Sequence, residues 1–117
     1  MPTIAFTQPK PTSKNTLYLL NRPESEQSVI IAGNLTGKYG DVSEVALEQM
    51  MSILGGDFTS RINMNLREDK HWSYGARRMV LDSKAERPFL LYAPVQTDKT
   101  AESVTELRKE ISEFIST

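Results

Sequence analysis

Cysteine is absent from this sequence, and histidine occurs once, at His71. The first absence excludes disulfides and thiolate metal ligands. The second leaves too few ligands for a zinc enzyme site of its own, which takes at least two His or Cys. No apolar run approaches the ~20 residues of a membrane-spanning helix, and Met1–Lys10 lacks the apolar stretch of a secretion signal. Neither charge sign dominates: 14 Lys and Arg stand against 15 Asp and Glu, with no block of like charge. Nothing therefore favours nucleic acid or an anionic membrane as partner.

What is present is the composition of an ordinary globular chain, 38% hydrophobic and 25% charged over 117 residues, enough for one domain or a piece of one. Residues 1–15 carry Pro2, Pro9 and Pro11 among Thr, Gln, Ser and Lys, and read as an extended lead-in; residues 16–117 read as a single α+β domain. Thr16–Asn21 suits a strand, Arg22–Glu26 a polar turn, and Gln27–Ala32 a returning strand rich in β-branched residues. Gly33–Gly40 reads as a loop. Asp41 with Glu44 three residues on makes a capping-box start for a helix. Val42, Val45, Ala46, Met50, Ile53 and Leu54 recur on it at helical spacing, and Gly55-Gly56 is expected to end it in a left-handed turn.

Thr59 or Ser60 is placed to cap a shorter helix, with Ile62 and Leu66 one turn apart on one side and a break at Asp69–Ser73. Tyr74–Asp82 and Phe89–Val95 read as a hairpin around Ser83–Pro88. Thr97 or Asp98 is placed to cap a last helix with the face Ala101, Val104, Leu107, Ile111, Phe114 and Ile115. The order expected is ββααββα, a two-layer arrangement of an antiparallel sheet with helices on one face.

Several motifs fail on inspection. Gly33–Tyr39 has too few residues between its glycines for a phosphate loop, and Tyr39 stands where a Ser or Thr belongs. Asn34-Leu35-Thr36 is a chance glycosylation triplet. No serine lies in a nucleophile-elbow context, and His71, between Lys70 and Trp72, reads as a surface residue. Met50 and Met51 read as packing residues, and Trp72 as a cap over the sheet edge. Arg67 and Tyr74 are two polar anchors expected near one end of the layer; the bland alternative pairs Arg67 with Glu68 or Asp69 and gives Tyr74 a plain strand position.

Gly55-Gly56-x-Phe58-x-Ser60-Arg61-Ile62, then Leu66-Arg67-Glu68, then Ser73-Tyr74-Gly75, resembles the second, non-zinc-binding domain of the pitrilysin/insulinase (M16) metallopeptidases. Asn21-Arg22-Pro23 with Gln27-Ser28 is similar to that domain's opening hairpin, and Pro94–Thr100 to its junction with the final helix; the likeness spans about Leu17–Ile115. It departs at Ile62, where leucine is usual, and at His71-Trp72, where glycine and leucine are frequent.

The resemblance implies an inactive half of a clamshell, facing a catalytic domain that holds zinc in an inverted His-x-x-Glu-His motif absent here. It implies no activity for this chain alone, and a peptide substrate contacted by Arg67 and Tyr74, which match the family's Arg–Tyr pair. It further implies self-association if apolar surface is left uncovered, and a bacterial, exported or periplasmic setting. A scaffold domain of the same fold that has lost the peptidase role is the rival, and an unrelated peptide-binding α+β module a third reading.

Overall fold

A computed structural model describes residues 14–116 and, before them, Thr3, Ala5, Thr7 and Lys10. Most of the expected lead-in, including Pro2, Pro9 and Pro11, lies outside the described residues. The elements are β1 (Gln27–Thr36), α1 (Glu44–Met51), α2 (Arg61–Asn63), β2 (Arg77–Val80), β3 (Arg87–Gln96) and α3 (Thr100–Ser116). α1 and α2 each run on into a wider, π-helical turn, Ser52–Gly56 and Met64–Asp69, and a 3₁₀ turn, Thr97–Lys99, leads into α3. The sheet is antiparallel throughout, in the order β1-β3-β2. This is the expected α+β architecture of a sheet with helices against one face.

The central strand explains the layering. In β3 the side chains of Leu91, Ala93 and Val95 alternate into one face and are buried there with Leu54, Ile62, Leu66 and Leu107 from the helices. Burying each larger apolar side chain contributes roughly 1.5–3 kcal/mol, so this seam supplies much of the driving force. The opposite face, where Val29 pairs with Pro94 and Ile31 with Tyr92, is open.

Several sequence expectations are corrected. Thr16–Asn21 forms no strand: Leu17, Tyr18, Leu19 and Leu20 are 84–87% exposed, and strand propensity without a partner edge does not hold a strand in water. β1 runs four residues further, through the glycine-containing stretch read as a loop, because β3 is long enough to pair with it up to Thr36. α1 starts later, with Ser43 as cap accepting from the Ala46 amide at 3.3 Å, while Asp41 and Glu44 accept from the preceding loop amides of Lys38 and Gly40.

Gly55 closes the α1 region in an extended conformation, φ −160°, not the left-handed one. Of the apolar face foreseen for α1, only Leu54 is buried, and Ala46 is exposed with the rest. Val42, Val45, Met50 and Ile53 are exposed, and Met51 and Leu54, beside half-buried Leu47, face the sheet. β2 starts at Arg77, three residues after Tyr74.

α3 is rotated from its expected face. Ser103 and Leu107 are buried, with Ile111 and Phe114 packed against the core, whereas Ala101, Val104 and Ile115 are exposed. Its glutamates bind α2 across the layer: Asn65 Nδ2 donates to Glu106 and Glu110 at 2.8 Å each, and Arg61 pairs with Glu110 and Glu113 at 3.0 and 3.2 Å.

Two polar anchors hold the layers. Arg87, buried at the start of β3, donates to both carboxylate oxygens of Glu44 at 2.9 and 3.0 Å and to the Gly37 carbonyl at 3.1 Å. Hydrogen bonds from Arg87 and the Gly40 amide hold the Glu44 carboxyl below its ordinary pKa. Asn63, buried in α2, donates to the Asp57 carbonyl at 2.8 Å and the Ser60 hydroxyl at 3.3 Å, and accepts from the Ala76 amide at 2.8 Å.

Replacing Asn63 with alanine leaves buried backbone groups unpaired and is expected to cost about 2–4 kcal/mol, read as a lower urea midpoint. The Glu44 anchor gives a pH signature. Because its folded pKa lies below the unfolded value, its contribution is complete above the ordinary glutamate range, about pH 4.3, and is lost as pH falls through the folded value. The difference in melting temperature between the native chain and Glu44→Gln is therefore expected to be constant at neutral pH and to shrink under acid.

Candidate functional site

The stretch between α2 and β2 is pinned on both sides, and this forces one side chain out. After the helix, the amides of Trp72 and Ser73 both donate to the Leu66 carbonyl, at 2.9 and 3.2 Å, and the Gln96 amide donates to the Trp72 carbonyl at 2.9 Å. The Ser73 hydroxyl donates to the Pro94 carbonyl at 2.5 Å and accepts from the Gly75 amide at 3.1 Å. β2 begins only at Arg77, opposite Tyr92, so Pro94 has no strand partner on that side, and Ser73 takes its carbonyl. With Ser73 held inward and Ala76 held by Asn63, Tyr74 projects outward and is 87% exposed.

The turn that delivers it is left-handed. His71 has φ +57°, the conformation a glycine commonly supplies just past a helix end. Its Nδ1 lies 3.0 Å from the Arg67 carbonyl oxygen, which only accepts, so the proton sits on Nδ1. The glycine-to-histidine departure noted in the sequence thus falls at a position where the backbone favours glycine. Trp72 packs against the core with Lys99 Nζ 5.7 Å from its ring centre, consistent with the capping role read from sequence.

Arg67 leaves the last turn of the π-helical segment. Its Nη1 lies 3.4 Å from Glu68 Oε1, and its guanidinium centre sits 4.8 Å over the ring of Phe58. Arg67, Glu68, His71, Trp72 and Tyr74 line one cleft of about 400 Å³, whose floor is completed by Gln27 and Gln96, paired neighbours on β1 and β3. Arg67 and Tyr74 therefore border the same hollow. The pairing of Arg67 with Glu68, raised from sequence as the bland reading, is also present.

The arrangement supplies N–H and O–H donors, a carboxylate and an indole wall at the sheet end. That suits neutral peptide groups, whose carbonyls need donors. Among the described residues no group of three or more His, Cys, Asp or Glu could hold a metal ion, so these side chains do not fit a zinc site. Sequence reasoning overlooked Phe58 as the support of Arg67 and the two glutamines as the floor. The first was visible only as a residue within a motif; for the glutamines no local signal exists, because strand pairing brings them together.

Comparisons agree with the geometry. The family described as Peptidase M16 inactive domain matches residues 2–117. Among solved structures, a peptidase M16 inactive domain from Pseudomonas fluorescens superposes with a TM-score of 0.75 at 20% identity, over 80% of this chain and 23% of that one. A conserved protein from Enterococcus faecalis V583 follows with a TM-score of 0.63 at 23% identity, over 74% of this chain and 20% of that one. At these identities the two show the fold, and the chain spans about a quarter or less of either. No curated protein matches.

The left-handed turn makes a prediction that separates backbone from side chain. His71→Gly and His71→Ala both lose the imidazole, yet the glycine variant is expected to be more stable by about 1 kcal/mol in chemical denaturation. Equal stabilities would show that the chain does not hold this turn in solution.

Proposed function

The chain belongs to the peptidase M16 inactive-domain family, and from that premise we propose that it is the substrate-orienting half of a zinc-dependent metalloendopeptidase. In this reading it has no hydrolytic activity alone. A catalytic domain, in the same polypeptide or in a partner subunit, holds the metal, and the two halves close around an extended peptide.

The observation that supports the reading most is the shared cleft: Arg67 and Tyr74 reach it from opposite ends of a turn that four backbone hydrogen bonds and Ser73 fix in place. The role assigned to them is donation. The guanidinium edge left free by Glu68 and Phe58 orients peptide carbonyls. The Tyr74 phenol donates where negative charge builds up on the carbonyl oxygen of the bond being cleaved. Assembly of donors only on closure would exclude water from the reacting bond and gate turnover.

A second reading, a scaffold or interaction domain of the same fold, is favoured by one specific feature. Val42, Val45, Met50 and Ile53 on the α1 side, together with Leu17–Leu20, expose apolar surface that a larger assembly would cover. The same surface accounts for self-association of the chain by itself.

The discriminating experiment is Tyr74→Phe in the assembled enzyme that contains this domain. Loss of an oxyanion donor is expected to lower kcat by about 10²–10³-fold with folding unchanged. Normal turnover by a well-folded variant would remove Tyr74 from the mechanism and shift weight to the scaffold reading.

A further inference from the structure

Phe58, like Tyr74 a large aromatic residue of the motif, is left exposed, at 71%. It sits in a tight turn closed by the Ser60 amide donating to the Asp57 carbonyl at 3.1 Å. The Arg67 guanidinium occupies one side of its ring. Phe58 also lines a second groove, of about 710 Å³, with Asp57, Thr59, Arg77, Tyr92 and Pro94. This groove continues from the cleft: Gln27 lines both, and Tyr74 of the cleft is followed directly by Gly75 of the groove. Phe58 thus has a cation against its ring and also borders the second groove.

The hollow is suited to an uncharged occupant. Its walls include the rings of Phe58, Tyr92 and Pro94 and the small residues Gly56, Gly75 and Ala76, beside the polar Gln27, Thr59 and Asn63. Arg77 is drawn over Tyr92, its guanidinium centre 5.2 Å from the ring centre, and Asp57 supplies the opposite charge on the same wall. A volume of this size takes more than one residue of an extended chain.

Building on the peptide-orienting reading, we propose that Phe58 is a specificity-determining residue: its open face receives an apolar side chain of the peptide whose carbonyls meet Arg67 and Tyr74. Phe58 is at the same time a positioning residue for Arg67. The cation on one face of the ring limits where the guanidinium swings, and the apolar guest covers the ring's other side.

Trp72, the single tryptophan, lines the cleft and reports binding there by its emission. The full chain is titrated with short capped peptides of alanine and serine that carry one phenylalanine at each position in turn. At one position phenylalanine is expected to tighten binding about tenfold over serine, the worth of one apolar contact. Phe58→Ser is expected to abolish that ratio. The ratio is the readout, because losing the support under Arg67 weakens both peptides alike, and an exposed residue is not needed for folding.

A ratio near one at every position, or one that survives Phe58→Ser, overturns the proposal. If Arg67→Ala still weakens all peptides in that case, the peptide-orienting reading stands without it. Absence of binding by any peptide overturns the proposal, while the peptide-orienting reading is tested separately by Tyr74→Phe in the assembled enzyme.

Discussion

The carboxamide of Asn63 joins three stretches of the chain: the turn before α2, the helix itself, and the segment entering β2. A side-chain amide offers two donors and an acceptor in one plane, and here all three are used on protein groups, two of them, Ser60 and Ala76, at buried positions. The geometry of the cleft follows from it. Ala76 is fixed from the helix side and Ser73 from the sheet side, so the two-residue span between them has one way to project a side chain, and Tyr74 takes it.

The electrostatic anchors do different work. Arg87 and Glu44, with Arg78 and Glu48 beside them, tie α1 to β3 and β2 at the end of the sheet remote from Gln27 and Gln96. Arg61 and Asn65 tie α2 to α3 through Glu106, Glu110 and Glu113. Only Arg67 among the helix-borne arginines has a single weakly placed carboxylate and an aromatic face. A guanidinium has five N–H donors, and the Glu68 carboxylate at 3.4 Å leaves most of those of Arg67 for other partners.

How much was legible in the sequence depended on the range of the interaction. Ile62 and Leu66 lie one helical turn apart and are both buried, as their spacing required. The β2–β3 hairpin and the last helix were visible for similar local reasons. α1 misled because it carries two apolar stripes, and periodicity cannot say which one meets the sheet; Leu47, Met51 and Leu54 do. Arg87 is a buried polar residue whose partners, Glu44 and the Gly37 carbonyl, lie 43 and 50 residues away in the chain, beyond any local pattern. Thr16–Asn21 carried strand propensity but lacks a paired edge, and propensity alone is too weak to order it. Arg67 and Tyr74 were singled out by a motif; the shared hollow between them is a property of the turn at His71, which no spacing rule contains.

That turn also bears on how a half-site works. No hydrogen bond holds the Tyr74 hydroxyl among the described residues, and the side chain stands almost wholly in water. Alone, such a phenol is free to rotate and is well solvated, so it adds little affinity for a peptide. In the proposed assembly, enclosed by an opposing domain, the same group would lose its water and act in a lower dielectric, where a donor to developing charge is worth several times more. The backbone beneath it, by contrast, is already fixed by Ser73, the Gln96–Trp72 hydrogen bond and Asn63. On the proposed closure, the ordering cost would be confined to side-chain torsions, and the strength of the site would depend on whether the other half is present.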